Sequence, residues 1–116
     1  MENNKIYTMK FSKVYPLLIQ KAERKNRTKQ EVNTIIFWLT GYNENDLIQH
    51  IQNNVDYKTF FDTAPCIHPN HKMIKGTICG IRIENIDDPT IKLVRCLDKL
   101  IDELAKGKDM EKILRK

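Results

Sequence analysis

The longest amphipathic pattern in the sequence follows Asp88 and Pro89. Aspartate is a common N-cap and proline is favoured in the first helical turn, so this pair predicts the start of a helix. Beyond it, apolar residues recur every three or four positions over four turns: Ile91, Val94, Leu97, Ile101 and Leu104. This spacing predicts one long helix that Gly107 ends. We interpret the exposed edge of its apolar stripe as a candidate surface for self-association.

Four shorter helices are predicted ahead of the long one. The first covers residues 12–25, with Ser12 as its N-cap and Pro16 in its first turn. The others begin at a capping box from Thr28 to Glu31, at Asn43 and at Asp56, and Gly41 ends the first of these three. Residues 5–11 alternate in polarity, which favours an extended N-terminal arm, and residues 1–4 are expected to be disordered.

Residues 74–84 are compatible with a helix or a strand. In a helix Ile74, Ile78 and Ile81 share one face, and Gly76 and Gly80 stack one turn apart, where they would admit a neighbouring helix. The β-branched isoleucines favour a strand instead. We interpret the segment as a central helix and as a structural hub, with a half-buried ion pair inside it. The hub residues are Gly76, Gly80, Arg82 and Glu84.

The length fits one domain over residues 1–116, and the helical patterns described above predict that it is all-α, with about six helices. The longest apolar run has five residues, Ile35 to Leu39, and a membrane span needs about 20. With no leader pattern at the N-terminus, a cytoplasmic location is expected. The three cysteines, Cys66, Cys79 and Cys96, are then expected to be reduced thiols. Cys79 has apolar neighbours and Cys96 is predicted on the outer part of the long helix, and neither position indicates a nucleophile.

Positive charge is concentrated in the first third of a chain whose net charge is +5. The candidate nucleic-acid-binding residues are Lys21, Arg24, Lys25, Arg27 and Lys29. Cations also favour helix C-termini, which explains much of this cluster without a ligand. A helix-turn-helix rhythm surrounds Gly41, but Phe37 is bulky for that motif. Glu44 and Asp46 would repel phosphates, so a simple helical hairpin is favoured.

One short segment has the residue types of a metal site: Cys66, His68 and His71. Cys79 is a possible fourth ligand. The spacing departs from the usual paired-ligand patterns, and the alternative is a surface loop with a small buried thiol. Neither this segment nor the glycines predict a bound cofactor.

Several short motifs occur together in one order along the chain. They are Ile6-Tyr-Thr-Met9, Val14-Tyr-Pro16, Lys21-Ala-Glu-Arg24, Trp38-Leu-Thr-Gly-Tyr42, Thr59-Phe-Phe61, Ala64-Pro65, Cys79-Gly-Ile-Arg82, Asp88-Pro89, Leu97-Asp-Lys-Leu-Ile-Asp-Glu-Leu-Ala-Lys-Gly107 and Met110-Glu-Lys-Ile-Leu-Arg115. As a set they resemble a small bacterial family catalogued as domain of unknown function 2200, over residues 5–115. The resemblance implies a small orthogonal helical bundle and supports a helix over residues 74–84. It gives no catalytic residue.

These observations together favour a cytoplasmic, non-catalytic protein-interaction domain, with self-association as one form of that function. Two alternatives stay open. One is nucleic-acid binding through the basic N-terminal third. The other is a metal-dependent enzyme that uses the segment from Cys66 to His71. The resemblance weakens this last alternative, because similar sequences tend to have Asn-Pro-Asn-Arg after Ala64-Pro65.

Overall fold

The computed structural model describes residues 2–78 and 80–115 of the chain. These residues form a small helical bundle of 32 × 31 × 25 Å, which confirms the predicted fold class. Its α-helices are α1 (Glu2–Thr8), α2 (Phe11–Glu23), α3 (Lys29–Thr40), α4 (Glu44–Gln52), α5 (Tyr57–Asp62), α6 (Pro89–Ala105) and α7 (Met110–Ile113). Between α5 and α6 lie two 3₁₀ helices, Pro69–Met73 and Ile83–Asn85, and two short strands, β1 (Thr77–Ile78) and β2 (Ile81–Arg82).

The long helix α6 is the centre of the bundle. It contacts α1, α2, α3, α5, α7, β1 and the second 3₁₀ helix. The Asp88 carboxylate accepts hydrogen bonds from the backbone N–H groups of Thr90 and Ile91, so the predicted cap is confirmed. No residue from Thr90 to Ala105 is exposed. The prediction that the apolar stripe of α6 keeps an exposed edge is therefore wrong, as is the outward position of Cys96, because neighbouring elements bury the stripe and leave the remaining positions half-buried.

Three of the predicted helix starts are confirmed in atomic detail. Thr28 and Asn43 each form a complete capping box, with Glu31 and Asp46 respectively, and Asp56 accepts the backbone N–H of Thr59. The cap of α2 differs from the prediction. Its N-cap is Lys10, and the Ser12 hydroxyl donates instead to the side-chain oxygen of Asn54 at 2.9 Å.

The predicted N-terminal arm is wrong, because residues 5–8 belong to helix α1. Only the short link between α1 and α2 is extended. There the backbone pairs with the segment before α5: Phe11 N–H donates to Val55 C=O, and Tyr57 N–H donates to Met9 C=O. The apolar side that the alternation predicted is not formed, since Met9 is 44% exposed while Phe11 is fully buried. Over residues 5–8, packing of α1 against α5 and α6 outweighs the alternation.

The segment from 74 to 84 is a β-hairpin, so the predicted central helix is wrong. Gly76 and Gly80 have φ angles of +108° and +77°, which a right-handed helix does not contain. Antiparallel pairing of β1 with β2 buries Ile78 and leaves Ile81 41% exposed. The β-branched residues therefore follow their strand preference. Cys79, which we placed among apolar neighbours and considered as a fourth metal ligand, lies outside the described residues.

The hub residues have a different role from the one predicted. A Cβ added at Gly80 meets no heavy atom within 4 Å, so no helix packs against it. Arg82 and Glu84 are both exposed, and they form no ion pair with each other in the part of the chain that the structure describes. Glu84 accepts the Gly76 N–H at 3.2 Å. Hydrogen bonds from its own backbone N–H and from Gly76 lower the pKa of Glu84. These contacts close the base of the hairpin.

Candidate functional site

A groove between the C-terminal halves of α2 and α6 carries most of the predicted basic cluster. Its volume is about 600 Å³, and we call it the basic groove. The lining residues are Leu17, Lys21, Arg24, Lys25, Asp102, Ala105 and Lys106. Three of the five cations predicted from the sequence therefore lie on one surface, because helical spacing of three or four residues places them on one side of α2. The fourth cation of the groove, Lys106, was not predicted from the sequence.

The charges of the basic groove are only partly compensated. Asp102 forms ion pairs with Lys21 at 3.3 Å and with Lys106 at 3.0 Å. Burial by itself raises the pKa of Asp102, but hydrogen bonds from Lys106 and Lys21 outweigh it and leave the pKa lowered. Arg24 and Lys25 are exposed and have no ion pair within the described residues. Four cations and one carboxylate give the groove a net charge of +3.

Arg27 does not belong to the basic groove. Its guanidinium forms an ion pair with Glu31 at 2.7 Å and donates to the carbonyl oxygens of Leu104 at 3.1 Å and Lys108 at 2.9 Å. It therefore joins the start of α3 to the end of α6. Lys29 lines a separate depression beside Asn33 and Glu44. Of the five predicted cations, three therefore line the basic groove, Arg27 forms a structural contact, and Lys29 lies in a different part of the surface.

The helical hairpin formed by α3 and α4 has acidic residues where a recognition helix would begin. Glu44 and Asp46 both occupy the first turn of α4, and the Asp46 carboxylate accepts the Asn43 N–H at 3.2 Å. Gly41 is in the left-handed region, with φ +79°. A Cβ at this position would lie 2.9 Å from the backbone nitrogen of Cys66, so glycine is required for the close approach of that loop.

The segment from Cys66 to His71 closes the end of α3. Backbone N–H groups of Cys66 and His68 donate to the last carbonyl groups of α3, at 3.1 and 3.0 Å. The His68 ring stacks on Trp38, with 4.2 Å between ring centroids. Its Nδ1 accepts the Asn70 N–H at 3.0 Å, and the Nδ1 of His71 is 2.7 Å from the carbonyl oxygen of His68. Both Nδ1 atoms are therefore engaged by backbone groups.

No group of three histidine, cysteine, aspartate or glutamate residues in the described part of the chain is arranged to hold a metal ion. Cys66 is exposed, and its two histidine neighbours are held by the contacts just described. The proposed ligands are thus near each other in sequence without converging on one point.

Three residues that we did not select from the sequence meet at a second cavity. Tyr57 of α5 and Arg95 and Asp98 of α6 are the polar residues of its lining, and we call these three residues its polar end. Arg95 and Asp98 are three residues apart on α6, a spacing that places them on one face of the helix. Their meeting with Tyr57 depends on tertiary packing, and no local pattern indicates it.

The two described cysteines are expected to differ strongly in reactivity. Cys96 is fully buried, and burial raises the pKa of its thiol to about 11, with Lys92 and Arg115 opposing the change. Cys66 is exposed. Iodoacetamide should modify Cys66 in the native protein on the order of a hundredfold faster than Cys96. Peptide mapping by mass spectrometry measures both rates, and urea should remove the difference. Equal rates without urea would contradict the buried position of Cys96.

The arrangement described above defines a small helical-bundle protein with a basic groove and no metal centre among its described residues. By sequence, the chain belongs to the family described as uncharacterized proteins conserved in bacteria, DUF2200, which it matches over residues 5–115. The crystal structure of the uncharacterized protein SP1917 is similar, with 46% sequence identity and a TM-score of 0.89. The match covers 95% of this chain and 90% of that one. No curated protein matches the chain.

The resemblance to this family noted from the sequence motifs is thereby confirmed. None of the helices in the described part of the chain combines the length and the apolar character that crossing a bilayer requires.

Proposed function

We propose that the chain is a non-catalytic interaction protein that binds an acidic protein segment in the basic groove. The observation that carries this proposal is the uncompensated charge of Arg24 and Lys25 beside an exposed apolar residue, Leu17, which is 58% exposed. A partner segment with carboxylates around one apolar side chain would complement both features. Complementary charge of this kind contributes to partner specificity and to association rate.

The surroundings of the groove favour a protein partner over a nucleic acid. No aromatic residue lines the groove, so stacking of bases has no platform there. Two of its four cations are already paired with Asp102. A dense row of phosphates would therefore find fewer free cations than the sequence suggests.

Self-association through the apolar stripe of α6 has no support, because that stripe is covered inside the bundle. The interaction surface we propose is instead the groove beside its C-terminal end.

A binding titration tests this proposal directly. The probe is a fluorescein-labelled amphipathic peptide of glutamate and leucine, followed by fluorescence anisotropy at several salt concentrations. We expect saturable binding that weakens as salt rises. Combining Arg24→Glu with Lys25→Glu should weaken binding on the order of tenfold. The matched control combines Lys72→Glu with Lys75→Glu, which changes the net charge equally at exposed positions outside the groove. This control should bind as the unmodified protein does.

Two outcomes would overturn the proposal. One is equal weakening by both double variants, which would indicate a response to net charge alone. The other is tighter binding of a DNA or RNA oligonucleotide than of the peptide, with the same loss on changing Arg24 and Lys25. That result would instead support the nucleic-acid alternative.

A further inference from the structure

A cavity of about 360 Å³ lies between α1, α2, α5 and α6, and we call it the apolar pocket. Aliphatic residues form most of its wall, and three polar residues form the rest. The lining residues are Ile6, Met9, Val14, Leu17, Leu18, Tyr57, Val94, Arg95 and Asp98. Its volume is within the range of small-molecule sites, and its composition is typical of them: an apolar body with a few polar groups.

Two hydrogen-bond donors of the polar end have no partner among the described residues of the protein. Tyr57 is 2% exposed, and its hydroxyl oxygen is buried without a hydrogen bond. The Nε of Arg95 is likewise buried and unpartnered. Buried polar groups in proteins are nearly always satisfied by protein, water or ligand. Both groups belong to residues that line one cavity, so a molecule bound there would supply the missing acceptor once the lining side chains move to admit it.

The charges at this end are balanced within the protein. Arg95 and Asp98 are held 3.5 Å apart between Nη1 and Oδ2, with side chains 19% and 28% exposed. Neither a cationic nor an anionic ligand would find an uncompensated opposite charge here. What remains open is hydrogen bonding: the Tyr57 hydroxyl and the Arg95 Nε–H can both donate, and both need an acceptor oxygen.

We propose that the apolar pocket binds a small, mainly aliphatic, uncharged molecule whose carbonyl oxygen accepts hydrogen bonds from Tyr57 and Arg95. The aliphatic part would contact Val14, Leu18 and Val94. Met9 forms part of the outer wall and is 44% exposed. Its unbranched side chain can adapt to ligands of different length. The pocket shares Leu17 with the basic groove but none of its charged residues, since Arg24 and Lys25 do not line the pocket.

The test uses hexanamide as the probe, with hexanoate and hexylammonium as charged analogues of the same chain length. Binding is followed by two-dimensional ¹H–¹⁵N NMR, which observes the Arg95 Nε–H directly along with the backbone amides. We expect hexanamide to give saturable shifts at the Arg95 Nε–H and at backbone amides near Tyr57 and Val94. Hexylammonium and hexanoate should bind several-fold more weakly, since the pocket has no net charge to offer either of them.

A pair of tyrosine variants separates ligand binding from stability. Tyr57→Phe removes an unpartnered hydroxyl, so we expect unchanged or higher stability and several-fold weaker hexanamide binding. Tyr42→Phe is the matched control. The Tyr42 hydroxyl is hydrogen-bonded to the Phe60 carbonyl oxygen and to the Thr63 hydroxyl, away from the pocket. That variant should lose stability and keep its affinity for hexanamide.

Three results would overturn the proposal. The first is an absence of saturation with hexanamide up to its solubility limit, as expected if water alone satisfies the two donors. The second is undiminished binding by Tyr57→Phe. The third is tighter binding of hexanoate than of hexanamide, which would show that the pocket selects an anion.

Discussion

Replacement of Phe60 by alanine is expected to lower the free energy of unfolding by about 3–5 kcal/mol. Phe60 is fully buried where α5 meets α2. Its ring stacks on Phe11 with 3.9 Å between centroids and contacts Tyr42 and His50 at 5.0 and 5.8 Å. Truncation removes these ring contacts and leaves a cavity lined by residues of α2, α4 and the link between α3 and α4. Urea unfolding followed by circular dichroism measures the loss.

Phe37→Ala is the matched control for this prediction. Phe37 is only half-buried and faces the depression beside Lys29, where solvent can fill the space left by its ring. We expect a loss less than half of that at Phe60, on the order of 1–2 kcal/mol. Equal losses at the two positions would contradict the central place of Phe60 in the core.

Four helix starts were predicted correctly because a side-chain cap acts within a few residues of itself. The Thr28 hydroxyl accepts the Glu31 N–H at 3.2 Å, and Glu31 accepts the Thr28 N–H at 2.9 Å. Both contacts are contained in four residues, so the sequence shows them directly. Asp88 is another case, since the groups it caps are two and three residues away.

The hairpin of β1 and β2 was missed because its segment is too short for periodicity to decide. Isoleucines at 74, 78 and 81 fit a helical face, while Ile78 and Ile81 also fit opposed positions across a tight turn. The backbone conformation of the two glycines decides between helix and hairpin, because positive φ angles at Gly76 and Gly80 exclude a right-handed helix. The sequence shows that a glycine is present, but it does not show which φ that glycine adopts.

The burial of α6 could not be predicted from local sequence patterns either. Its polar positions, such as Asp98 and Asp102, would be solvated on an isolated amphipathic helix, yet both are only partly exposed. A residue's exposure depends on which elements pack around it, and those contacts join segments far apart in the chain. The same holds for the apolar pocket, where Tyr57 meets two α6 residues about 40 positions away in the sequence.

Whether a predicted cation lines the basic groove depends on its position relative to the C-terminal end of α2. Lys21 is inside α2, and Arg24 is its C-cap, so helical geometry fixes their directions. Arg27 comes after the helix has ended, and its side chain turns toward α6. Nothing in the local sequence specifies that direction.

Arg27→Met is the second substitution for which we expect a large effect, a loss of about 2–4 kcal/mol in the free energy of unfolding. It removes the charged hydrogen bonds to Glu31 and leaves the carbonyl groups of Leu104 and Lys108 without this donor. Arg24→Met is the matched control, because Arg24 is exposed and unpaired within the described residues. It should change stability by less than about 0.5 kcal/mol.

The pH dependence of the same variant tests the mechanism. Hydrogen bonds from Arg27, with smaller help from Thr28, lower the pKa of Glu31 from 4.5 to about 2. A carboxyl group whose pKa is lower in the folded than in the unfolded state stabilises the protein above its unfolded pKa. That stabilisation is lost as the pH falls from 4.5 to about 2. The Arg27→Met protein should therefore lose less stability than the unmodified protein between about pH 6 and about pH 3. If both lost the same amount in urea unfolding, Arg27 would not be the main partner of Glu31.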